Sequence, residues 1–171
     1  ISSAFEGRLY SCEEKDRKKI SAQIVRITFY TTFAICIIGI LMKPLVAVLY
    51  GQEYERAGVS MVILLIGIIF ASIGKVAPAY FYTKGRPNIH LIVAAIVLVI
   101  NLLLNFVLIP TIGINGAALA STISYLFYGL IYVLMLKKDG ISIKQLLIIQ
   151  KDDLKNLKQI LPKVARKEGE N

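Results

Sequence analysis

Residues 101–125 read NLLLNFVLIPTIGINGAALASTISY, and this stretch decides the fold. Two asparagines four apart stand in a run of leucines, followed by Pro110, then glycines, then alanines and serines. Nothing in it is charged, and no Asp, Glu, Lys or Arg occurs anywhere from Pro87 to Leu136. Yet the 171-residue chain holds 20 basic and 11 acidic residues, for a net charge of +9. A water-soluble domain breaks its apolar stripes with charge, whereas here charge gathers at the ends and in short loops. Hydrophobic residues make up 56% of the chain and the mean hydropathy is +0.66, above the roughly half-apolar mix of a soluble domain. Lipid is the solvent that such a pattern fits, because about 20 apolar residues in a helix cross a hydrocarbon core of about 30 Å.

As one helix the uncharged run would span about 75 Å, so it must turn back. Pro110, Gly113, Asn115 and Gly116 are the clustered breakers inside it, which predicts a turn at 111–115 and helices over 88–110 and 116–136. Upstream, 24–50 reads as one crossing with Lys43-Pro44 near its far end, and 57–83 as another with Lys75 inside it. The expected fold is all-α: a polytopic membrane protein with four transmembrane helices. A cytoplasmic segment, 1–23, precedes them, and a cytoplasmic amphipathic tail, 137–171, follows.

Charge placement tests that count independently, since basic residues concentrate in short cytoplasmic segments. Six lie in 1–26, one in 50–58, two in 84–88, none in 111–115 and nine in 137–171. This alternation predicts an in–out–in–out–in path with both ends cytoplasmic; a merely solvated basic surface would not alternate. Anionic inner-leaflet lipid then accounts for the +9 charge and no nucleic acid is required. Residues 1–26 lack the apolar core of a signal peptide and begin without Met, so the chain reads as part of something longer. Cys12 falls in the leading segment and Cys36 inside the first crossing, which keeps them from pairing. Trp is absent, and Tyr50, Tyr54, Tyr80, Tyr82 and Tyr132 take positions where aromatic rings anchor at an interface.

Asn101 and Asn105 stack on one helix face. Amides facing lipid go unsatisfied, so that face is expected against other helices or a wet cavity. Two readings stand: interhelical bonds worth about 1 kcal/mol or less each, or a pair lining a substrate path. On the next helix Gly116, Ala120 and Ser124 form a small-xxx-small ladder that allows close backbone approach. Lys75 is the one cation well inside a span, about 6 Å to the cytoplasmic side of its middle. It is either a functional group by default or a stem that snorkels to the surface. Lys43 reads as a snorkelling residue and His90 as an interfacial one.

Several blocks in order resemble a family. LYGQEYERAG at 49–58, KGRPN at 84–88, and the opening stretch are similar to the C-terminal part of bacterial polysaccharide flippases of the O-antigen and capsule type. These belong to the multidrug/oligosaccharidyl-lipid/polysaccharide exporter superfamily. The leading ISSAFEGRL and EEKDRKKI resemble the cytoplasmic connection inside the C-terminal lobe of such proteins. The resemblance covers residues 1–140. It implies two six-helix lobes, of which this chain would supply the last four helices, with the N-terminal lobe missing. It also implies translocation of undecaprenyl-pyrophosphate-linked oligosaccharide by alternating access. A pyrophosphate in a low-dielectric region needs cations or donors and sugars need amides, which makes Lys75, Asn101 and Asn105 the substrate-path candidates.

Rival classes fare worse on the residues. Membrane enzymes acting on polyprenyl phosphates need carboxylates for metal or acid–base work, and no Asp or Glu lies in the four expected spans. No catalytic pair, metal cluster or Gly-rich phosphate loop stands out, so no cofactor is expected. A drug–cation antiporter of the same superfamily needs intramembrane carboxylates for its coupling ion, and a non-transporting scaffold needs none of the polar features. In the tail, ISIKQLLIIQ and DDLKNLKQIL carry apolar residues at helical spacing, with Leu154, Leu157, Ile160 and Leu161 on one face and Ser142 and Asp152 as caps. Lysine-flanked apolar faces suit helices lying on the membrane surface or against the missing lobe.

The topology has a direct test. Reporters fused after Gly85 and after Lys138 of the full-length protein are expected to be cytoplasmic, and one inserted at Gly113 external. A cytoplasmic signal from position 113 overturns the hairpin.

Overall fold

The computed structural model describes Leu9, residues 13–51 and residues 55–148, and these are helical almost throughout. Seven helices follow in order: α1 Glu14–Leu41, α2 Lys43–Tyr50, α3 Glu55–Val76, α4 Pro78–Tyr82, α5 Asn88–Ile112, α6 Ile114–Lys138 and α7 Ile143–Leu147. Four stretches are long and apolar enough to cross a membrane: Asp16–Leu41, Ala57–Tyr82, Asn88–Ile112 and Ile114–Lys138. The distal tail positions Asp152, Leu154, Leu157, Ile160 and Leu161 lie outside the described residues.

Each break has a local cause. The first apolar stretch, read as one crossing over 24–50, is two helices, because Pro44 has no N–H to continue the ladder past Met42. The Met42 amide instead closes α1 on the Ile38 carbonyl at 3.0 Å. At its other end α1 reaches back to Glu14, where Glu14 and Asp16 in the first turn favour the positive end of the helix dipole. Pro78 likewise separates α3 from α4 and occupies the first turn of the latter, where a missing N–H is tolerated. Pro110, by contrast, stays inside α5. The Thr111 hydroxyl donates to the Leu108 carbonyl at 2.9 Å and the Val107 carbonyl at 3.3 Å, adding side-chain bonds to the last turn of the helix. The hairpin therefore turns at Gly113 alone, whose φ of +61° suits a residue without Cβ.

Helix α6 is the hub. It packs against α3 on one side and α5 on the other, while α3 also packs on α1. The contact with α3 repeats every seven residues. The Ser60 hydroxyl donates to Asn115 Oδ1 at 2.7 Å, and the Thr122 hydroxyl to the Ile63 carbonyl at 2.7 Å. A methyl group on Gly67 would lie 2.8 Å from Thr122 Cα, one on Gly129 would lie 2.6 Å from the Phe70 carbonyl oxygen, and one on Gly74 would strike the Tyr128 ring. Ser60, Gly67 and Gly74 thus face Asn115, Thr122 and Gly129 with both helices running the same way, the spacing of a left-handed pair. On the side toward α5, Gly116 abuts the Leu108 backbone, and Ala120 and Ser124 are fully buried. Helix α5 itself buries only Val93 and presents Leu91, Leu103, Phe106 and Val107 outward.

The main apolar core lies at the end of the bundle away from Gly113. Ala22 and Val25 of α1, Ile73 of α3, Ala77, Tyr80 and Phe81 around α4, Tyr132 and Leu136 of α6, and Ile141 and Leu146 meet there. Tyr80 and Tyr132, expected as rings anchored at an interface, are 1% and 0% exposed. The helices converge on these rings, and the Tyr132 hydroxyl finds its partner within the protein, on His90 Nδ1 at 2.9 Å.

Substitutions separate tight from loose contacts. Ala120→Leu and Gly129→Ala are each expected to destabilise the folded protein by about 1–3 kcal/mol through overpacking, and Leu130→Ala, whose side chain is 45% exposed, by well under that. Thermal unfolding in detergent, followed by circular dichroism, checks the order. Equal, mild effects would show that neither face of α6 is closely packed.

Candidate functional site

The polar groups sit at three places, and the helices dictate each. In α5, Asn105 Nδ2 donates to both the carbonyl oxygen and the side-chain Oδ1 of Asn101, each at 2.9 Å. The pair is half-buried and lies beside strongly exposed Leu102, Leu103 and Phe106. An i, i+4 amide pair satisfies part of its own demand within the helix, which lowers the cost of placing it in an apolar stretch. It leaves the remaining amide valences free for a partner across that face.

Lys75 stands near the end of α3, between buried Gly74 and half-buried Val76, and its own side chain is exposed. It lies just before the break at Ala77–Pro78, on a different helix from the two amides. Gly116, Ala120 and Ser124 take no direct part in a polar site: the Ser124 hydroxyl donates back to the Ala120 carbonyl at 2.7 Å.

The third place gathers most of the charge. The turn between α4 and α5, with Gly85 at φ +67°, lifts Lys84 over the ends of three helices. Its ammonium donates to Asp139 at 3.0 Å, lies 3.7 Å from Glu14, and sits 5.0 Å from the centre of the Tyr80 ring. The Arg17 guanidinium donates to the Thr83 carbonyl at 3.3 Å. These bonds tie the start of α1, the α4–α5 turn and the end of α6. The Tyr80 side chain first, and then the Asp139 carboxylate, hold Lys84 above the ordinary lysine value, and partial burial opposes the rise.

Arg26 escapes the sequence reading, which counted it with the leading basic segment. It is 3% exposed, four residues before Tyr30 on the same face of α1, and donates to the Gln145 carbonyl. The signal available was the i, i+4 Arg–Tyr pair at the start of an apolar run. Cys36 is a buried free cysteine. Among the described residues no group of three or more His, Cys, Asp or Glu side chains is placed to hold a metal ion.

Four long apolar helices with polar groups embedded between them define a multi-pass helical membrane protein. The family model described as Lipid II flippase MurJ matches residues 10–158, and the chain belongs to that family. It is 29% identical over 119 residues to the capsular polysaccharide biosynthesis protein CapF of Staphylococcus aureus, covering 68% of this chain and 30% of that one. It is 26% identical over 130 residues to an uncharacterized membrane protein of Methanocaldococcus jannaschii, covering 74% of this chain and 26% of that one. The chain therefore spans less than a third of the length of these relatives. No solved structure matches it.

The Lys84 contacts carry a pH signature. A lysine raised by folding stabilises fully below its unfolded value of about 10.4, and the contribution disappears as pH rises through the higher folded value. Lys84→Met is expected to cost about 1 kcal/mol at pH 7.5, and the difference from wild type should shrink as pH rises past the ordinary lysine value of about 10.4. Unfolding in detergent below and above that value is the measurement. A difference that does not change with pH would place the effect in lost packing.

Proposed function

We propose that this chain is part of a flippase that carries a polyprenyl-pyrophosphate-linked saccharide across the cytoplasmic membrane by alternating access. The observation that carries the reading is the family match across residues 10–158 on a bundle of four apolar helices. The capsular relative supports a surface-polysaccharide precursor of the O-antigen or capsule type as cargo. In the proposed orientation the Lys84 end is cytoplasmic, which puts Arg17, Lys84, Arg86, Lys137 and Lys138 beside the anionic leaflet. The Gly113 end is then external, and the lobe that completes the cavity lies in other residues of the full-length protein.

Chemistry supports the cargo class. A pyrophosphate entering a low-dielectric region needs cations or donors, and sugars need amides and hydroxyls. Lys75 is exposed on a helix that packs on both α6 and α1, and on this reading it meets whatever faces the bundle there. Asn101 and Asn105 supply amides on α5, a helix otherwise lined with apolar side chains. On this reading Lys75 meets the phosphates, and the amide pair meets sugars at another stage of the passage.

Export of surface polysaccharide by the full-length protein in a flippase-null cell, normalised to protein level, tests both cargo and residue. Restored export is expected with wild type. Lys75→Arg should keep part of it, and Lys75→Gln and Lys75→Met should lose most, about tenfold or more. These variants should still insert, since removing a charge lowers the insertion cost. Full export by Lys75→Met removes the phosphate role and leaves Lys75 as a snorkelling anchor. Failure of wild type to restore any polysaccharide, alongside rescue of peptidoglycan-precursor export, would move the cargo to the lipid-linked precursor for which the matched family is named.

A further inference from the structure

After α6 the chain does not leave the bundle. Gly140, at φ +88°, turns it back beside the Lys18 ammonium, and Ile141 and Leu146 bury themselves at 1% and 0% exposure against the core. Between them α7 forms, its start closed by the Gln145 side-chain oxygen, which accepts from the Ser142 amide at 3.1 Å. The other end of α7 points its unsatisfied carbonyls at α1. There the Arg26 guanidinium donates to the Gln145 carbonyl, and the Tyr30 hydroxyl donates to the Leu147 carbonyl at 2.6 Å. Two donors one turn apart on α1 thus cap the last carbonyls of a helix, the place where its dipole favours a cation.

We infer that residues 140–148 are a fastened strap that locks α6 to α1, so that the two helices move as one body while the transporter cycles. Its motion as part of a transporter rests on the flippase reading; its fastening does not. The physical argument is the cost of opening. Drawing the strap away breaks the bond from buried Arg26 to the Gln145 carbonyl and exposes Leu146 and Ile141. The Lys84–Asp139 pair and the Arg17–Thr83 bond brace the same two helices from the other side of the α4–α5 turn. A hinge placed between α1 and α6 at this end would have to break all of these at once. The strap is therefore a brace, and the moving joint lies elsewhere in the full-length protein.

Two measurements on the full-length protein decide it. The first is amide hydrogen exchange. The Leu146 and Ile148 amides, which bond to the Ser142 and Lys144 carbonyls at 3.2 and 2.9 Å, should exchange slowly in wild type. They should exchange at least about tenfold faster in Arg26→Met, and Arg26→Lys should recover part of the protection. Tyr30→Phe, which removes one hydroxyl from a side chain 37% exposed, is the milder variant should Arg26→Met not fold. Unchanged exchange in Tyr30→Phe and Arg26→Met overturns the strap. The second is a cross-link between Tyr30→Cys and Leu147→Cys, in a background with Cys12→Ser and Cys36→Ala, formed by a short bis-methanethiosulfonate whose disulfides to the two cysteines a reductant cleaves. Cross-linked protein should export polysaccharide at the rate of the reduced protein. Export that stops on cross-linking and returns on reduction overturns the brace and makes the segment a gate. If even the uncross-linked protein exports nothing, the flippase reading fails, and the exchange measurement still judges the strap.

Discussion

The close contact between α3 and α6 is the constraint on which the other arrangements rest. In lipid no hydrophobic drive brings helices together, since a leucine is as well solvated by acyl chains as by another leucine. Helices associate there only where backbones approach closely enough for dispersion and hydrogen bonds to outweigh lipid contacts. Gly67 and Gly74 on one side and Gly129 on the other remove the side chains that would hold the two axes apart. Asn115 and Thr122 then place polar side chains within reach of Ser60 and the Ile63 carbonyl. With α3 and α6 fixed, α1 has a surface to pack on, the break at Pro78 lands beside Tyr132, and the α4–α5 turn carries Lys84 to Asp139.

The two ends of the bundle are held by different chemistry. Toward Gly113 the helices are joined by small residues, a one-residue turn and the Ser60–Asn115 bond. Toward Lys84 they are joined by charged and aromatic groups: Tyr128 stacks edge-on against Tyr132, His90 bonds to Tyr132, and Tyr82 meets His90 edge-on. Large rings fill the space where the helices meet, and the His90–Tyr132 bond satisfies polar tips among them. Basic residues at this rim also fit the side facing an anionic leaflet.

Much of this was legible in the residues, for reasons that can be named. Fifty uncharged positions broken only near Gly113 admit no arrangement except a hairpin, so two of the four spans followed from Pro87 to Leu136 alone, and the apolar runs at 24–50 and 57–83 supplied the others. The Gly116–Ala120–Ser124 ladder announced a tight face because three small residues at spacing four have few other uses. The sevenfold pattern of Ser60, Gly67 and Gly74 was equally present, but a glycine every seventh residue in a leucine-rich span signals a contact only once the partner helix is known. Arg26 was misread for a related reason. Charge counting assigns every basic residue near a span to water, and only the fold shows a later segment returning to cover one. Spacing within a helix says nothing about which neighbour each face meets, so the residues alone could not tell what faces Lys75 or the asparagines.

The strap changes how this unit works within a longer protein. A helix whose two ends are fixed to different neighbours transmits motion, and one fixed to the same neighbours at both ends travels with them. Helix α6 meets α3 along its length and is tied to α1 through residues 140–148 at its last turn. Helix α5 has no such second attachment; it holds to α6 through the Gly116–Leu108 approach and to the aromatic rim through His90. It is also the least buried of the four spans, and it carries the amide pair. On the proposed flippase reading, this least buried helix is the one to adjust to a passing chain of sugars. The Asn105 amide, bonded to the Asn101 carbonyl and side chain, would then exchange that partner for a sugar hydroxyl.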